Sequence, residues 1–369
     1  MKSLVEEALA REGRDQAVME PQDPYSQNGS FEAELIEILQ KLKTNISIIG
    51  VGGGGCNTAA RTWEEGVAGA EVVAANTDAQ HLLSINVPNK ILLGKRTTRG
   101  LGAGALPQVG EEAAREAEEE LRNILAGSDI VFITAGLGGG TGTGSAPIVA
   151  QLAKELGALT VAICTSPFRA EGTIRMENAE WGLERLRSMA DTVIVIPNDK
   201  LLELVPRLSL NAAFKVADEI LMRGIKGITE LITKPGLVNL DFNDLKTIMK
   251  GGGVAMIGLG EGEGDDRVDE AIEEAVNSPL IDVDISGASG ALVNVIGGED
   301  LSVTEAERVA GVIQSRVSPN ARIIWGATID PTLEDKVRVM VVMTGVKSKH
   351  ILGPKEMRTA DDVDVDFIR

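Results

Sequence analysis

Residues 136–145 read Gly-Leu-Gly-Gly-Gly-Thr-Gly-Thr-Gly-Ser. The run follows an apolar stretch of strand length, 129–135, and opens into a helix-forming segment from Ala146. So much glycine carries a large entropic cost and makes a poor strand or helix interior. What it offers is bare backbone. Amide N–H groups can approach an anion closely, and the following helix N-terminus adds a partial positive charge. A simple turn needs far fewer glycines. No lysine follows, which excludes the G-x-x-x-x-G-K-[ST] phosphate loop.

A second run, GVGGGGCN at 50–57, lies between an apolar strand at 46–51 and a helix expected from about 57 to 65. It matches G-x-G-x-x-G, which alone fits a Rossmann dinucleotide site equally well. A dinucleotide domain has no use for the other, richer run. Two such runs on neighbouring strand ends can clamp a di- or triphosphate, with the threonine hydroxyls contributing directly or through Mg²⁺. A third segment, GLGAGA at 100–105, either closes over a terminal phosphate or is a flexible connection.

The rest of the chain frames these runs. Apolar segments of strand length at 46–51, 71–75, 90–93, 129–135, 159–164 and 192–196 alternate with helical ones such as 111–125 and 146–156. That pattern predicts a doubly wound, parallel α/β sheet. A long central helix is expected at 210–232, stopped by Pro235 and Gly236. Beyond it, strands at 254–259, 290–296, 323–329 and 338–346, with helices at 268–277 and 304–315, suggest a smaller α+β C-terminal domain with a four-stranded sheet. The expected division is an N-terminal helical extension and linker at 1–44, a nucleotide-binding domain at 45–208, a connecting helix at 209–232, a C-terminal domain at 233–346 and a flexible acidic tail at 347–369. The extension is read as two short amphipathic helices, 1–12 and 31–43, joined by a polar linker.

Composition narrows the function. A net charge of −19 gives no general attraction for DNA, RNA or anionic lipid. With 3% aromatic residues, base-stacking platforms are scarce. A phosphate ligand must therefore be held locally. Cys56 and Cys164 lack metal-ligand spacing and read as buried reduced thiols, while His81 and His350 are isolated. No metal centre or Ser-His-Asp set is assembled, no stretch is apolar enough to span a bilayer, and the charged N-terminus is no signal peptide. These features predict a cytoplasmic protein. On sequence alone, Asp241 or Asn239 reads as a helix N-cap with Asp244 in the first turn. Phe214 and Asp218, four residues apart, read as a core ring and a surface acid on one helix.

The segments IGVGGGGCN (49–57), AANTDAQ (74–80), GLGAGA (100–105), GLGGGTGTGSAP (136–147), PFRAEGTIR (167–175), PNDKLL (197–202), AFKVADEIL (213–221) and ITKPGLVNLDFNDLKTIM (232–249) resemble the tubulin/FtsZ GTPase family, and the archaeal FtsZ type in particular. The resemblance runs from about Ile46 to Val346. It implies a GTPase that polymerises head to tail, forms a division ring at mid-cell and binds GTP or GDP with Mg²⁺ on the phosphates. Carried over residue by residue, it places Gly53, Gly54, Gly55, Cys56 and Asn57 in the first nucleotide loop. Gly138, Gly139, Gly140, Thr141, Gly142 and Thr143 fall in the loop that wraps the phosphates, and Ala103 and Gly104 where the terminal phosphate is sensed. Glu171 and Arg175 match the sugar side. Asn198, Phe214 and Asp218 match the guanine-binding positions, where a carboxylate can accept from the N1–H and N2–H₂ donors that adenine does not present together.

The resemblance also implies that Asp241, Asp244 and Asn239 form a catalytic loop acting on the GTP of the next subunit. Relatives carry a C-terminal peptide that docks on membrane-anchor proteins. The tail here, ending DVDVDFIR, is either such a peptide or a disordered end. Neither nucleic-acid binding nor direct membrane insertion is implied. Cys56 stands where many relatives have glycine or alanine, and Lys246 where arginine is common. Two rival readings remain. A nicotinamide-dependent oxidoreductase would use the first glycine run and Asp78, but leaves the second run and the NLDFND segment unexplained. A non-hydrolysing nucleotide-binding scaffold is opposed by the presence of Asp241 and Asp244.

Overall fold

The computed structural model describes residues 44–67, 69–204, 210–234, 236–238, 240–278 and 283–348. The expected N-terminal helices, Pro235, Asn239 and the tail beyond 348 lie outside the described residues. In the first half, six apolar runs form strands β1 (Ile46–Val51), β2 (Ala70–Asn76), β3 (Asn89–Leu92), β4 (Ile130–Gly136), β5 (Leu159–Ser166) and β6 (Thr192–Pro197). All are parallel, in the order β6-β5-β4-β1-β2-β3. Side chains alternate across the sheet and both faces are covered, so nearly every strand residue is apolar. Ile46, Ile48, Ile130 and Phe132 enter one core, whereas Ile49, Val51, Val131 and Ile133 enter the other.

The helices divide between these faces. α1 (Gly52–Glu64) and α2 (Ala79–Ser84) send Cys56, Ala59 and Leu82 into the first core. α3 (Pro107–Glu116), α4 (Glu118–Leu125), α5 (Thr141–Glu155) and α6 (Thr173–Met189) bury Ala113, Leu121, Ile148 and Leu186 in the second. α7 (Asn198–Leu204) follows β6 directly. α1 and α5 begin earlier than propensity suggests, within the glycine runs at Gly52 and Thr141 rather than at Asn57 and Ala146. Glycine lowers helix propensity, but a first turn leaves its N–H groups unpaired anyway, and here the runs supply that turn.

α8 (Leu210–Thr233) lies along the first core through Ala217, Leu221, Ile225 and Ile228. From Asp218 to Thr233 it rises roughly 23 Å at about 1.5 Å per residue. At its far end the chain bonds to a later strand, where the Leu237 amide donates to the Ala327 carbonyl at 2.8 Å. α9 (Phe242–Met249) follows, anchored by fully buried Leu245 and Met249. Its last carbonyl, on Met249, accepts from the Thr192 hydroxyl at the first residue of β6. The C-terminal end of α9 therefore sits at the amino ends of the parallel strands, whereas the glycine runs at 50–57 and 136–145 sit at their carboxyl ends.

The remaining elements are β7 (Gly253–Glu263), α10 (Arg267–Val276), the short β8 (Val283–Asp284), β9 (Gly290–Gly297), α11 (Val303–Arg316), β10 (Arg322–Ile329), β11 (Lys336–Thr344) and β12 (Lys347–Ser348), which pairs with β8. The four longer strands run in the order β10-β9-β11-β7. β10 and β11 are consecutive in sequence yet do not pair. α11 carries the chain over to lay β10 parallel to β9, and β11 then inserts antiparallel between β9 and β7. Within the sheet this four-stranded part pairs with the parallel strands through three residue pairs, Thr192–Ile194 of β6 against Gly253–Ala255 of β7. Arg267, almost buried, pins α10 to α11 through Glu305 at 2.9 Å and through Asp300. No helix among the described residues is long and apolar enough to cross a membrane.

Candidate active site

The three small-residue segments converge on a cavity of about 520 Å³ at the carboxyl ends of the parallel strands. Gly53 and Gly54 line it from the start of α1, and Gly139, Gly140, Thr141 and Gly142 from the start of α5. The runs touch each other. Gly52 has φ +73°, and a Cβ there would fall 2.7 Å from the Gly142 amide. A Cβ on Gly140 would fall 2.6 Å from the Gly104 carbonyl, to which the Gly140 amide donates at 2.8 Å. Only glycine permits both approaches. The bond from Gly140 ties the third segment to the second and places Leu101, Gly102, Ala103 and Gly104 in the lining, so 100–105 is not a loose connection.

Other predicted residues of these runs stand behind the lining. Gly55 is buried against β4, where a Cβ would strike the Thr134 carbonyl at 2.1 Å, so glycine there lets α1 pack on the strand. Cys56 is fully buried, and its single thiol proton has the carbonyls of Gly50 and Ala75 within reach, at 3.4 and 3.5 Å. Burial pushes the thiols of both Cys56 and Cys164 up to about 12. Asn57 is exposed at the edge, with its Oδ1 3.0 Å from Nε2 of His81. Gly138, at φ +102°, lies against Arg175, and its amide donates to the buried Thr143 hydroxyl at 2.9 Å. Thr143 thus braces the second run from beneath.

The other side of the cavity is built by the loop after β5 and by the start of α8. Arg175 donates to Glu171 at 2.6 Å, and the second Glu171 oxygen accepts from the Phe168 amide at 2.9 Å. The buried Phe168 ring meets Phe214 edge-on at 5.3 Å and so orients that exposed ring at the cavity wall. Asp218, one turn further along α8, accepts from the Thr58 hydroxyl of α1 at 3.1 Å. Burial pushes its carboxyl up to about 6, against the pull of Thr58 and Arg61 in the other direction. Asn198 is 3% exposed, and its Oδ1 has no partner among the described residues. A buried acceptor left unpaired costs free energy, which a ligand carrying N–H groups would recover.

Sequence reasoning missed one wall. Asn76, Thr77, Asp78 and His81 also line the cavity, from the end of β2 and the start of α2. The signal was a cluster of polar residues directly after an apolar strand. Among the described residues no group of three or more His, Cys, Asp or Glu side chains could hold a metal. Asp241, Asp244 and α9 lie elsewhere. Asp241 caps α9 by accepting from the Asp244 amide at 2.8 Å, and both acids are exposed and outside the lining.

A parallel sheet that presents glycine-built, lysine-free cradles at its strand ends, with a half-buried acid and an aromatic face opposite, defines a nucleotide-binding protein. Comparisons with known proteins make the class specific. A family model described as "Tubulin/FtsZ family, GTPase domain" matches residues 45–206, and one described as "FtsZ family, C-terminal domain" matches residues 253–347. The chain is 59% identical to cell division protein FtsZ 1 of Archaeoglobus fulgidus, over the whole of both chains. It is 55% identical to cell division protein FtsZ 1 of Halobacterium salinarum, covering 98% of this chain and 93% of that one. Among solved structures, an empty FtsZ dimer from M. jannaschii superposes with a TM-score of 0.82 at 56% identity, covering 85% of this chain and 92% of that one. The chain therefore belongs to the FtsZ family of tubulin-like cell-division GTPases.

Proposed function

We propose that GTP lies in the 520 Å³ cavity and is hydrolysed only where a second copy stacks on that face. The observation that carries this reading is the separation of two sets of groups. The cradles stand at the carboxyl ends of the parallel strands, while the exposed acids Asp241 and Asp244 follow the far end of α8. Within one chain they do not meet. Two copies stacked head to tail bring them together, and a contact of this kind does not close on itself, so it propagates a filament. The backbone cradles then stabilise charge on the phosphates, and the incoming carboxylates orient or polarise the attacking water. Asn239, two positions before Asp241 in the sequence, is assigned with them by the family resemblance. The solved dimer of the M. jannaschii relative supports assembly between copies of this fold. The specific GTPase rate is expected to rise with protein concentration before reaching a plateau. A rate per subunit that stays constant down to high dilution would overturn the shared site.

On this reading the base sits toward α8, with Phe214 against its face, Asp218 and Asn198 accepting its N–H donors, and Glu171 and Arg175 toward the sugar. Mg²⁺ fits the donor set as a nucleotide-borne ion. The lining offers the Thr77 and Thr141 hydroxyls and no carboxylate cage, so the phosphates and water would supply most ligands. We read 45–208 as the nucleotide domain, 209–232 as its connecting helix and 233–346 as the domain carrying the catalytic loop; the two family models match 45–206 and 253–347, so the loop falls between them. The acidic tail with its terminal Phe367-Ile368 pair serves, in this proposal, to dock a membrane-anchor protein at mid-cell. Removing residues 360–369 is then expected to abolish recruitment to the division site while GTP turnover in solution is preserved. Normal localisation of the truncated chain would refute the docking role.

A further inference from the structure

A row of polar side chains crosses the cavity wall that sequence reasoning overlooked, and its orientation can be deduced. The Thr141 and Thr77 hydroxyls are 2.6 Å apart. The Thr77 amide donates to Asn76 Oδ1 at 2.8 Å, which leaves Asn76 Nδ2 facing His81 Nδ1 at 3.2 Å. An amide nitrogen has only donors, so Nδ1 must be the acceptor and the ring proton sits on Nε2. Nε2–H then donates to Asn57 Oδ1 at 3.0 Å. Both nitrogens of the imidazole are committed, and its backbone amide is held by Asp78 Oδ1 at 3.0 Å.

We propose that His81 is a positioning residue for the bound nucleotide. It clasps α1, through Asn57, to the end of β2, and so sets the gap between the first glycine run and the Thr77–Thr141 pair. The inference rests on the reading that this cavity takes GTP. The composition of the lining says why such a clasp matters. It contains no lysine, and its one arginine, Arg175, is already paired with Glu171. Phosphate binding therefore depends on aligned backbone amides, and alignment is lost when one run drifts from the other.

The test uses the full chain and a fluorescent GTP analogue, with dissociation rate, KM and kcat at saturating GTP, and nucleotide-free thermal unfolding measured for each variant. His81→Ala is expected to release the nucleotide about tenfold faster, the value of one lost hydrogen bond. KM should rise in step with kcat retained, the pattern of lost uniform binding. His81→Gln, whose carboxamide still donates to Asn57, is expected to stay within about threefold of the unmodified chain. His81→Asn reaches Asn76 but not Asn57 and is expected to behave like alanine, which keeps the comparison available if the alanine variant does not fold. Unchanged dissociation in the alanine and asparagine variants, or a glutamine variant as impaired as they are, would overturn the inference. Asp218→Ala serves as the separate control: if it binds GTP as tightly as the unmodified chain, the cavity assignment fails rather than the role of His81.

Discussion

Asp244→Ala is expected to lower GTP turnover by about 10²–10⁴-fold, the range for loss of a positioned acid–base group, while GTP affinity and assembly persist. The structure makes Asp244 the cleaner probe of the two acids. Its side chain is exposed and enters no hydrogen bond within the α9 cap; only its backbone amide does. Asp241 has a second duty, because its carboxylate is the cap of α9. Asp241→Ala therefore mixes a lost cap, about 1 kcal/mol, with any lost chemistry. Phosphate release, measured beside pelleting of the assembled protein, separates the two effects. Full turnover by the Asp244 variant in pelleted material would leave the proposed interface without its catalyst.

Asp218→Ala should weaken GTP binding by about 10²–10⁴-fold, since a carboxylate accepting two base N–H groups forfeits two charge-assisted hydrogen bonds. The same group gives the binding a pH dependence whose sign is set by burial. Its carboxyl is raised from an ordinary value of 3.8 to about 6 in the nucleotide-free protein. On the proposed reading the guanine donors require the ionised form, so affinity is expected to fall as pH drops through about 6. Nucleotide-free stability moves the other way. A carboxyl raised by folding contributes stability that is fully present below 3.8 and lost as pH rises through about 6. Titrating binding from neutral pH to below 6, with the unmodified chain and Asp218→Ala side by side, reads the effect directly. A pH response equally steep in both would assign it to another group.

The cradles were legible because close backbone approach selects glycine, and a run of glycines has few other uses. The parallel sheet was legible because strands covered on both faces become continuous apolar runs, as in β1 and β4. The starts of α1 and α5 were not, since propensity penalises the very glycines that form their first turns. The order β10-β9-β11-β7 was also hidden: local patterning identifies strands, while their partners are chosen by long-range packing of α10 and α11. Asn76 and His81 escaped for a related reason. Their significance arises from contacts made far along the chain, His81 with Asn57 and Thr77, beside Asn76, with Thr141, and no local periodicity reports them. Asp218 illustrates the converse. Its half-buried state at the foot of α1, which raises its carboxyl, is invisible in a helical sequence where it alternates with other charges.

The opposite placement of cradles and acids has an arithmetical outcome. A stack of subunits contains one fewer joint than subunits, so on this reading one terminal member of every strand holds a triphosphate that no companion can cleave. Catalytic capacity is then a census of joints. Fragmenting the same mass of protein into shorter pieces removes one working centre per break, and annealing restores it. The two tips of a strand are chemically unlike, one showing an occupied nucleotide and the other a bare pair of carboxylates, so growth and loss at the tips follow different chemistry although every building block is the same.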